Sequence, residues 1–104
     1  MAQIAETNYY VSRAKKILSE EDRKAIRDIL KIDPLHGAII PGSGGVRKMR
    51  YALPGRGKSG GARIIHYYKI ANDMVFLLDV YAKNQMENLT QGEINNLKRL
   101  VKKL

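Results

Sequence analysis

With 104 residues, the chain is long enough to fold around one small core, and we expect a single domain over residues 1–104. It contains no cysteine, which excludes a disulfide framework, a thiolate nucleophile and a cysteine-based zinc site. Its 19 lysine and arginine residues outnumber the 10 acidic residues, and the resulting net charge of +9 favours a polyanionic partner.

The first third of the chain predicts a short strand and a hairpin of two helices. Residues 3–7 are expected to add a short strand to a sheet that forms later in the chain. Apolar residues recur at helical spacing in residues 8–18 and again up to Asp33-Pro34, where the proline ends the second helix. Ser19 caps that helix by accepting a hydrogen bond from the amide of Asp22. The shared apolar face consists of Val11, Ala14, Ile17, Leu18, Ala25, Ile26, Ile29 and Leu30.

Three strands and a closing helix are predicted next. Residues 35–45 are rich in glycine and proline and predict a loop, and alternating residues then predict strands at 46–53, 62–70 and 74–83. Thr90 and Glu93 form a capping box that starts an amphipathic helix. The basic residues in its last turns have helix stability as their main expected role, with direct ligand binding as the alternative.

Strand alternation divides the side chains between two faces of the sheet. In the third strand, one unbroken apolar face is expected to pack against the helices, and it comprises Phe76, Leu78, Val80 and Ala82. Tyr81 and Lys83 then belong to the face away from the helices. The basic character of the earlier strands suggests that Lys48, Arg50 and Arg63 join them there, whereas Arg47, Met49 and His66 face the helices.

The basicity is local. Residues 34–72 contain no acidic residue, and their seven basic residues are Arg47, Lys48, Arg50, Arg56, Lys58, Arg63 and Lys69. Such a surface is the footprint of phosphate binding. We expect Arg47, Arg56, Lys58 and Lys69 to contact RNA. For Arg56 and Lys58, the alternative is a solvated loop tip that charge keeps soluble.

The loop at residues 55–60 spells G-x-G-x-x-G, but it does not predict a nucleotide site. The dinucleotide motif needs a helix after it, and a strand follows here. A P-loop needs a glycine where this chain has Ala52. Two histidines, His36 and His66, are too few and too unsupported to predict a metal site, and no cofactor is expected. His66 is expected to be a packed structural residue rather than an acid or base.

Three blocks carry a resemblance to a known family: PGSGGVRKMR, GRGKSGGARIIHYY and LLDVYAKNQMENLT. With the helical hairpin before them and the helix after them, they resemble the RelE/HigB-type toxins of bacterial type II toxin-antitoxin systems. The resemblance covers nearly the whole chain. It implies an α+β fold like that of RelE, a small ribonuclease fold with a mainly antiparallel sheet, an N-terminal helical hairpin and a C-terminal helix.

The resemblance also implies an activity and a site. Such toxins cleave mRNA in the A site of the ribosome without a metal, by attack of the 2'-hydroxyl, and leave a 2',3'-cyclic phosphate. The catalytic set that carries over by motif, with Tyr81 in place of the family tyrosine, is Lys48, Arg50, Arg63, Tyr81 and Lys83. Leu89 stands at about the position of that tyrosine. We expect Lys48 or Lys83 to help activate the 2'-hydroxyl and Arg63 to hold the scissile phosphate.

The partners implied are mRNA, the A site of the 30S subunit with its rRNA, and a cognate antitoxin. The HigB-like branch implies a HigA-like antitoxin with a helix-turn-helix domain, and operator DNA would be reached only through it. With no membrane-length apolar stretch (~18 residues) and no signal-peptide pattern, a cytoplasmic location without a membrane partner is expected. Two alternatives stay open: a ParE-like inhibitor of gyrase, and a basic RNA- or DNA-binding module without catalysis.

Overall fold

A five-stranded sheet organises the chain, which a computed structural model describes at residues 1–53, 61–85 and 88–104. The strands are β1 (Gln3–Glu6), β2 (Ala38–Ile39), β3 (Arg47–Tyr51), β4 (Ala62–Lys69) and β5 (Met74–Ala82). They lie in the order β1-β5-β4-β3-β2, with β1 parallel to β5 and the other neighbours antiparallel. The predicted α+β class with a mainly antiparallel sheet is confirmed, including the added N-terminal strand.

Two helices, α1 (Asn8–Ile17) and α2 (Glu20–Ile32), form the predicted hairpin on one face of the sheet. Ser19 begins α2 with a capping box, because its hydroxyl accepts from the amide of Asp22 while the Asp22 carboxylate accepts from the amide of Ser19, each at 3.0 Å. Asp33 ends α2 just before Pro34. Burying each large aliphatic side chain of the hairpin face stabilises the fold by roughly 1.5–3 kcal/mol. The core under the hairpin includes Ala14, Leu18, Ile26, Leu30, Met49, Ile64, Val75, Leu77 and Val80.

A third helix, α3 (Gln91–Val101), covers part of the opposite face. Its predicted capping box is present, since Thr90 accepts from the amide of Glu93 at 3.1 Å and Glu93 accepts from the amide of Thr90 at 2.8 Å. The second core joins β4, β5, α3 and the residue before β3 through Val46, Ile65, Leu78, Tyr81 and Val101. The expectation that Tyr81 lies on a face free of helices is therefore wrong. None of the helices within the described ranges is long and apolar enough to cross a membrane.

The segment predicted as a loop at residues 35–45 contains the short edge strand β2. Ala38 pairs with Lys48 and Ile39 with Arg47. Gly37 precedes this strand at a φ of +95°, and a Cβ there would lie 2.5 Å from the carbonyl oxygen of Lys48. Only glycine allows that approach, which brings the chain alongside β3. A glycine-rich segment thus adds a strand to the sheet edge rather than remaining a loop.

β5 contains a bulge that simple alternation does not predict. Ile65 pairs with Asp79, but the next residue of β4, His66, pairs with Leu77, so Leu78 is an extra residue on β5. The extra residue reverses the alternation of side chains beyond it. Val75, Leu77 and Val80 consequently face the hairpin, whereas Phe76, Leu78 and Tyr81 face the α3 side. The predicted unbroken face of Phe76, Leu78, Val80 and Ala82 is therefore wrong.

Candidate active site

The α3 side of the sheet aligns three polar side chains across three neighbouring strands. Arg50 of β3 is the Cα partner of Arg63 of β4, and Arg63 is the partner of Tyr81 of β5. Directly opposite residues of antiparallel strands point to the same face with Cβ atoms roughly 4.5–5.5 Å apart. Lys48 shares that face because it lies two residues before Arg50. We call Lys48, Arg50, Arg63 and Tyr81 the basic row.

Arg63 occupies the centre of the basic row and is only 9% exposed. Its Nη1 donates a hydrogen bond to the carbonyl of Ala62 at 3.3 Å. Among the described residues, no carboxylate forms an ion pair with Arg63. A buried cation without an acidic partner is costly unless an anion compensates it, which makes this guanidinium suited to a phosphate.

Tyr81 contributes a neutral hydrogen-bond donor beside that cation. Its side chain is fully buried, and its hydroxyl has no hydrogen-bond partner among the described residues. Burial raises the pKa of Tyr81 above its ordinary value, although the neighbouring charge of Arg63 acts in the opposite direction. The phenol therefore keeps its proton at neutral pH. Arg50 is exposed and Lys48 is half-buried, so the basic row reaches solvent on its β3 side.

Lys83, also in the predicted catalytic set, lies just beyond the end of β5. Its backbone amide donates to the carbonyl of Gly61 at 3.1 Å, which keeps it beside the start of β4. Its side chain is exposed. Lys83 therefore stands at the same end of the sheet as Tyr81, at the margin of the basic row.

The four residues predicted to contact RNA do not lie together in the structure as described. Arg47 alternates with Lys48 onto the hairpin side, where its Nη1 donates to the carbonyl of Gly37 at 3.1 Å. Lys69 donates from Nζ to the backbone oxygen of Leu104, so it ties β4 to the end of the C-terminal segment. Arg56 and Lys58 lie outside the described residues. Neither Arg47 nor Lys69 joins the basic row.

His66 occupies the structural position that strand parity predicts. It is fully buried on the hairpin side, with Nε2 2.8 Å from the carbonyl oxygen of His36. Because a carbonyl only accepts, Nε2 carries the proton. Burial lowers the pKa of His66 to about 4, so the ring is neutral at pH 7. No cluster of potential metal ligands occurs within the described ranges.

Arg13 and Asp79 are polar residues whose contact the sequence does not reveal. The helical pattern puts Arg13 on the outer side of α1, yet its Nε lies 2.9 Å from Oδ1 of Asp79 on β5. Burial raises the pKa of Asp79 more than the charge of Arg13 lowers it. The only available signal was an acidic residue in the middle of an apolar strand. Asp79 borders a cavity of about 450 Å³ between β5 and α3.

Two solved structures share this architecture. An arginine-to-alanine double mutant of E. coli toxin RelE in the free state matches with a TM-score of 0.62 and 16% identity, covering 100% of this chain and 99% of that chain. The intact E. coli RelBE toxin-antitoxin complex matches with a TM-score of 0.54 and 15% identity, covering 77% of this chain and 94% of that chain. At these identities the likeness shows the fold alone, which is the fold of E. coli RelE.

The sequence itself matches a family model over residues 7–104, and that model describes the RelE toxin of the RelE/RelB toxin-antitoxin system. The chain therefore belongs to the RelE toxin family, as its sequence blocks predict. Leu89 packs against the second core.

Proposed function

We propose that this RelE-family toxin is a metal-independent mRNA endoribonuclease that acts on the ribosome and inhibits translation. The observation that supports this most is the in-register alignment of Arg50, Arg63 and Tyr81. Two guanidinium groups and a protonated phenol on one face match the needs of a phosphodiester that gains charge during cleavage. Lys48 and Lys83 flank this arrangement.

The proposed reaction uses the RNA's own 2'-hydroxyl as the nucleophile. Its oxygen attacks the adjacent phosphorus, its proton passes to Lys48 or Lys83 acting as a base, and the bond from phosphorus to the 5' oxygen breaks. The 5' oxygen takes a proton from the other of these two lysines, which is protonated, and the products are a 2',3'-cyclic phosphate and a 5'-hydroxyl. The ribosome would hold the message so that attack is in line, which by itself accounts for a large part of such a barrier.

The other residues of the basic row, and Lys83 at its margin, have proposed roles in the same step. Arg63 binds the scissile phosphate, and Arg50 adds a second cation from the exposed side. Tyr81 donates a hydrogen bond to a phosphate oxygen or to the departing oxygen, in place of the tyrosine that Leu89 replaces. Exposed Lys83 approaches the same phosphate from the end of β5.

The proposed partners follow from the same charge pattern. The basic row and the surplus of cations suit mRNA and rRNA at the A site of the 30S subunit. We also propose a cognate antitoxin, since the solved E. coli RelBE structure is a toxin-antitoxin complex. An acidic or amphipathic antitoxin segment, from a HigA-like protein with a helix-turn-helix domain, would neutralise the basic row, and operator DNA would be bound through it. Toxin and antitoxin would meet in the cytoplasm.

The test is primer extension on ribosomes programmed with a defined message, comparing the wild type with Arg63→Ala and Arg63→Lys. We expect cleavage within the codon in the A site, and a loss of about 100-fold or more when the guanidinium is removed. The matched control is Lys24→Ala, which removes an exposed cation of α2 and should leave cleavage unchanged.

Absence of cleavage by the folded wild type would refute the nuclease proposal. Inhibition of gyrase would then favour a ParE-like toxin, whereas RNA or DNA binding with a steep salt dependence would favour a non-catalytic module. Cleavage that survives in folded Arg63→Ala would instead refute the site.

A further inference from the structure

We propose that Arg13 and Asp79 are positioning residues that hold the β5 bulge and thereby turn Tyr81 towards Arg63. The proposal rests on the proposed nuclease function, because its consequence is the placement of a residue in the basic row. Neither side chain belongs to that row: Arg13 is on α1, and Asp79 precedes Val80 on β5.

The contacts connect one helix to the residues that follow the bulge. Nε of Arg13 lies 2.9 Å from Oδ1 of Asp79 and donates to the carbonyl of Val80 at 3.1 Å. The same Oδ1 of Asp79 accepts from the amide of Val80 at 2.7 Å. Arg13 is also held on its own helix, since Nη1 donates to the hydroxyl of Tyr9 at 3.3 Å and the guanidinium lies 5.6 Å from the centre of that ring.

Val80 needs these contacts because of where β1 stops. β1 pairs with β5 only as far as Glu6 opposite Leu77, so within the described residues no strand adjoins the outer edge of β5 at Val80. Both backbone groups of Val80 are instead satisfied by the Arg13–Asp79 pair. A buried peptide group without a hydrogen bond is costly, and the pair removes that cost at the point where the strand departs from regular geometry.

The bulge decides which face Tyr81 occupies. If Leu78 instead took a regular place in the alternation of β5, Tyr81 would share a face with Val75 and Leu77, in the core under the hairpin. With it, Tyr81 lies on the α3 side opposite Arg63. Holding the bulge therefore holds a phenol in the basic row, and loosening it moves that phenol away from the proposed phosphate site.

The experiment is a double-mutant cycle on programmed ribosomes, with single-turnover cleavage rates measured over a range of toxin concentrations up to saturation. Arg13→Ala and Asp79→Asn should each lower the cleavage rate about 10- to 100-fold with little change in half-saturating concentration, because misplacement affects the step and not binding. In the Tyr81→Phe background, the same substitutions should cause almost no further loss. Arg13→Lys, which keeps the charge and a donor, should recover part of the rate.

The matched control is Arg27→Ala, because Arg27 also links the hairpin to the sheet, through Glu6 of β1 at 3.5 Å, but does not reach the bulge. It should lower stability without changing the rate per folded molecule. Losses of Arg13→Ala and Tyr81→Phe that multiply independently would overturn the proposal, as would an equal effect of Arg27→Ala.

A second readout does not depend on cleavage. In protein labelled with 3-fluorotyrosine, the ¹⁹F resonance that Tyr81→Phe removes should shift in Asp79→Asn and stay in place in Arg27→Ala. An unmoved resonance would overturn the positioning role. A shifted resonance in a protein that never cleaves RNA would support the positioning role of Arg13 and Asp79 and refute the nuclease function alone.

Discussion

Arg63 and Tyr81 stand directly opposite each other across β4 and β5, and both are almost completely buried. The pair therefore combines a cation without an acidic partner and a hydroxyl without a hydrogen bond, as judged over the described residues. Buried polar groups left unsatisfied weaken a fold. A ligand that binds both groups would supply the missing partners. Mutations that remove one of these groups should therefore raise the stability of the free protein and lower its activity.

Tyr81→Phe should separate those two effects. Removal of an unsatisfied buried hydroxyl should raise the free energy of unfolding by about 1 kcal/mol, while the loss of a donor to the phosphate should slow cleavage about 100-fold. Urea denaturation and single-turnover primer extension measure the two quantities. Tyr10→Phe is the matched control. The hydroxyl of Tyr10 is also buried without a partner among the described residues, but this side chain belongs to α1 and lies in the core between the hairpin and the sheet. It should show the gain in stability alone, and a slower Tyr81→Phe protein that is also less stable would contradict the prediction.

Lys69→Met should affect stability and spare catalysis. The Lys69 ammonium group donates to the backbone oxygen of Leu104, and its removal should lower the free energy of unfolding by about 1 kcal/mol. Because Lys69 lies outside the basic row, the rate of cleavage per folded molecule should remain within about twofold of the wild-type rate. A large loss of ribosome binding in the folded variant would restore its predicted role as an RNA contact.

Acid should weaken the fold through His66. Burial lowers the pKa of His66 from 6.5 to about 4, so between these values the unfolded chain binds a proton that the folded chain does not. Its contribution to stability is complete above pH 6.5 and is lost as the pH falls towards 4. Over the whole window, the loss is about 3 kcal/mol at 1.36 kcal/mol per pH unit.

The measurement is urea denaturation at pH 7.5 and 4.5. His66→Asn should flatten the difference between the two pH values by about 2 to 3 kcal/mol, whereas His36→Gln should keep it. An unchanged difference in His66→Asn would show that other groups cause the acid sensitivity.

Glycine-to-alanine substitutions should have opposite signs at two positions. Gly61 has a φ of +110°, and a Cβ there would lie 3.4 Å from the carbonyl oxygen of Tyr51 and 3.7 Å from Nη1 of Arg63. Gly61→Ala should therefore destabilise the fold by about 1 kcal/mol or more and slow cleavage. Gly92→Ala in α3 meets only Thr90 Oγ1 at 3.9 Å and should stabilise the fold by about 0.5–1 kcal/mol. Thermal unfolding measures the stability of both variants. A stabilised Gly61→Ala protein would be inconsistent with the positive φ of Gly61.

Much of the fold could be predicted from local rules. The capping residues Ser19 and Thr90 mark the starts of α2 and α3 because they act on amides only three residues away. The bounds of β3, β4 and β5 agree to within about two residues with the alternating pattern. The strand β2 could not be predicted, because two residues among glycines carry no periodic signal and become a strand only through pairing with β3.

The sequence predicted that Lys48, Arg50, Arg63 and Tyr81 share one face of the sheet, but not that α3 covers part of this face. Lys48 and Arg50 lie two residues apart on a regular strand, and the basic character of the strands suggested that Arg63 shares their face, as the pairing of Arg50 with Arg63 shows. Tyr81 lies opposite Arg63, and the extra residue Leu78 puts it on the other face from Val75 and Leu77. The expected open face is in fact partly covered by α3, since an amphipathic helix must bury its apolar stripe and the remaining sheet face offers the surface for it.

Residue type and near neighbours in the chain were enough to predict every element except β2, the family and the concentration of positive charge in residues 34–72. The tertiary structure decided which of those charges meet. It separated Arg47 and Lys69 from the basic row, brought Arg13 of α1 to Asp79 of β5, and buried Tyr81 opposite Arg63. Those outcomes depend on strand register and on one bulge. Both are set by packing between residues that are far apart in the sequence, where local periodicity carries no information.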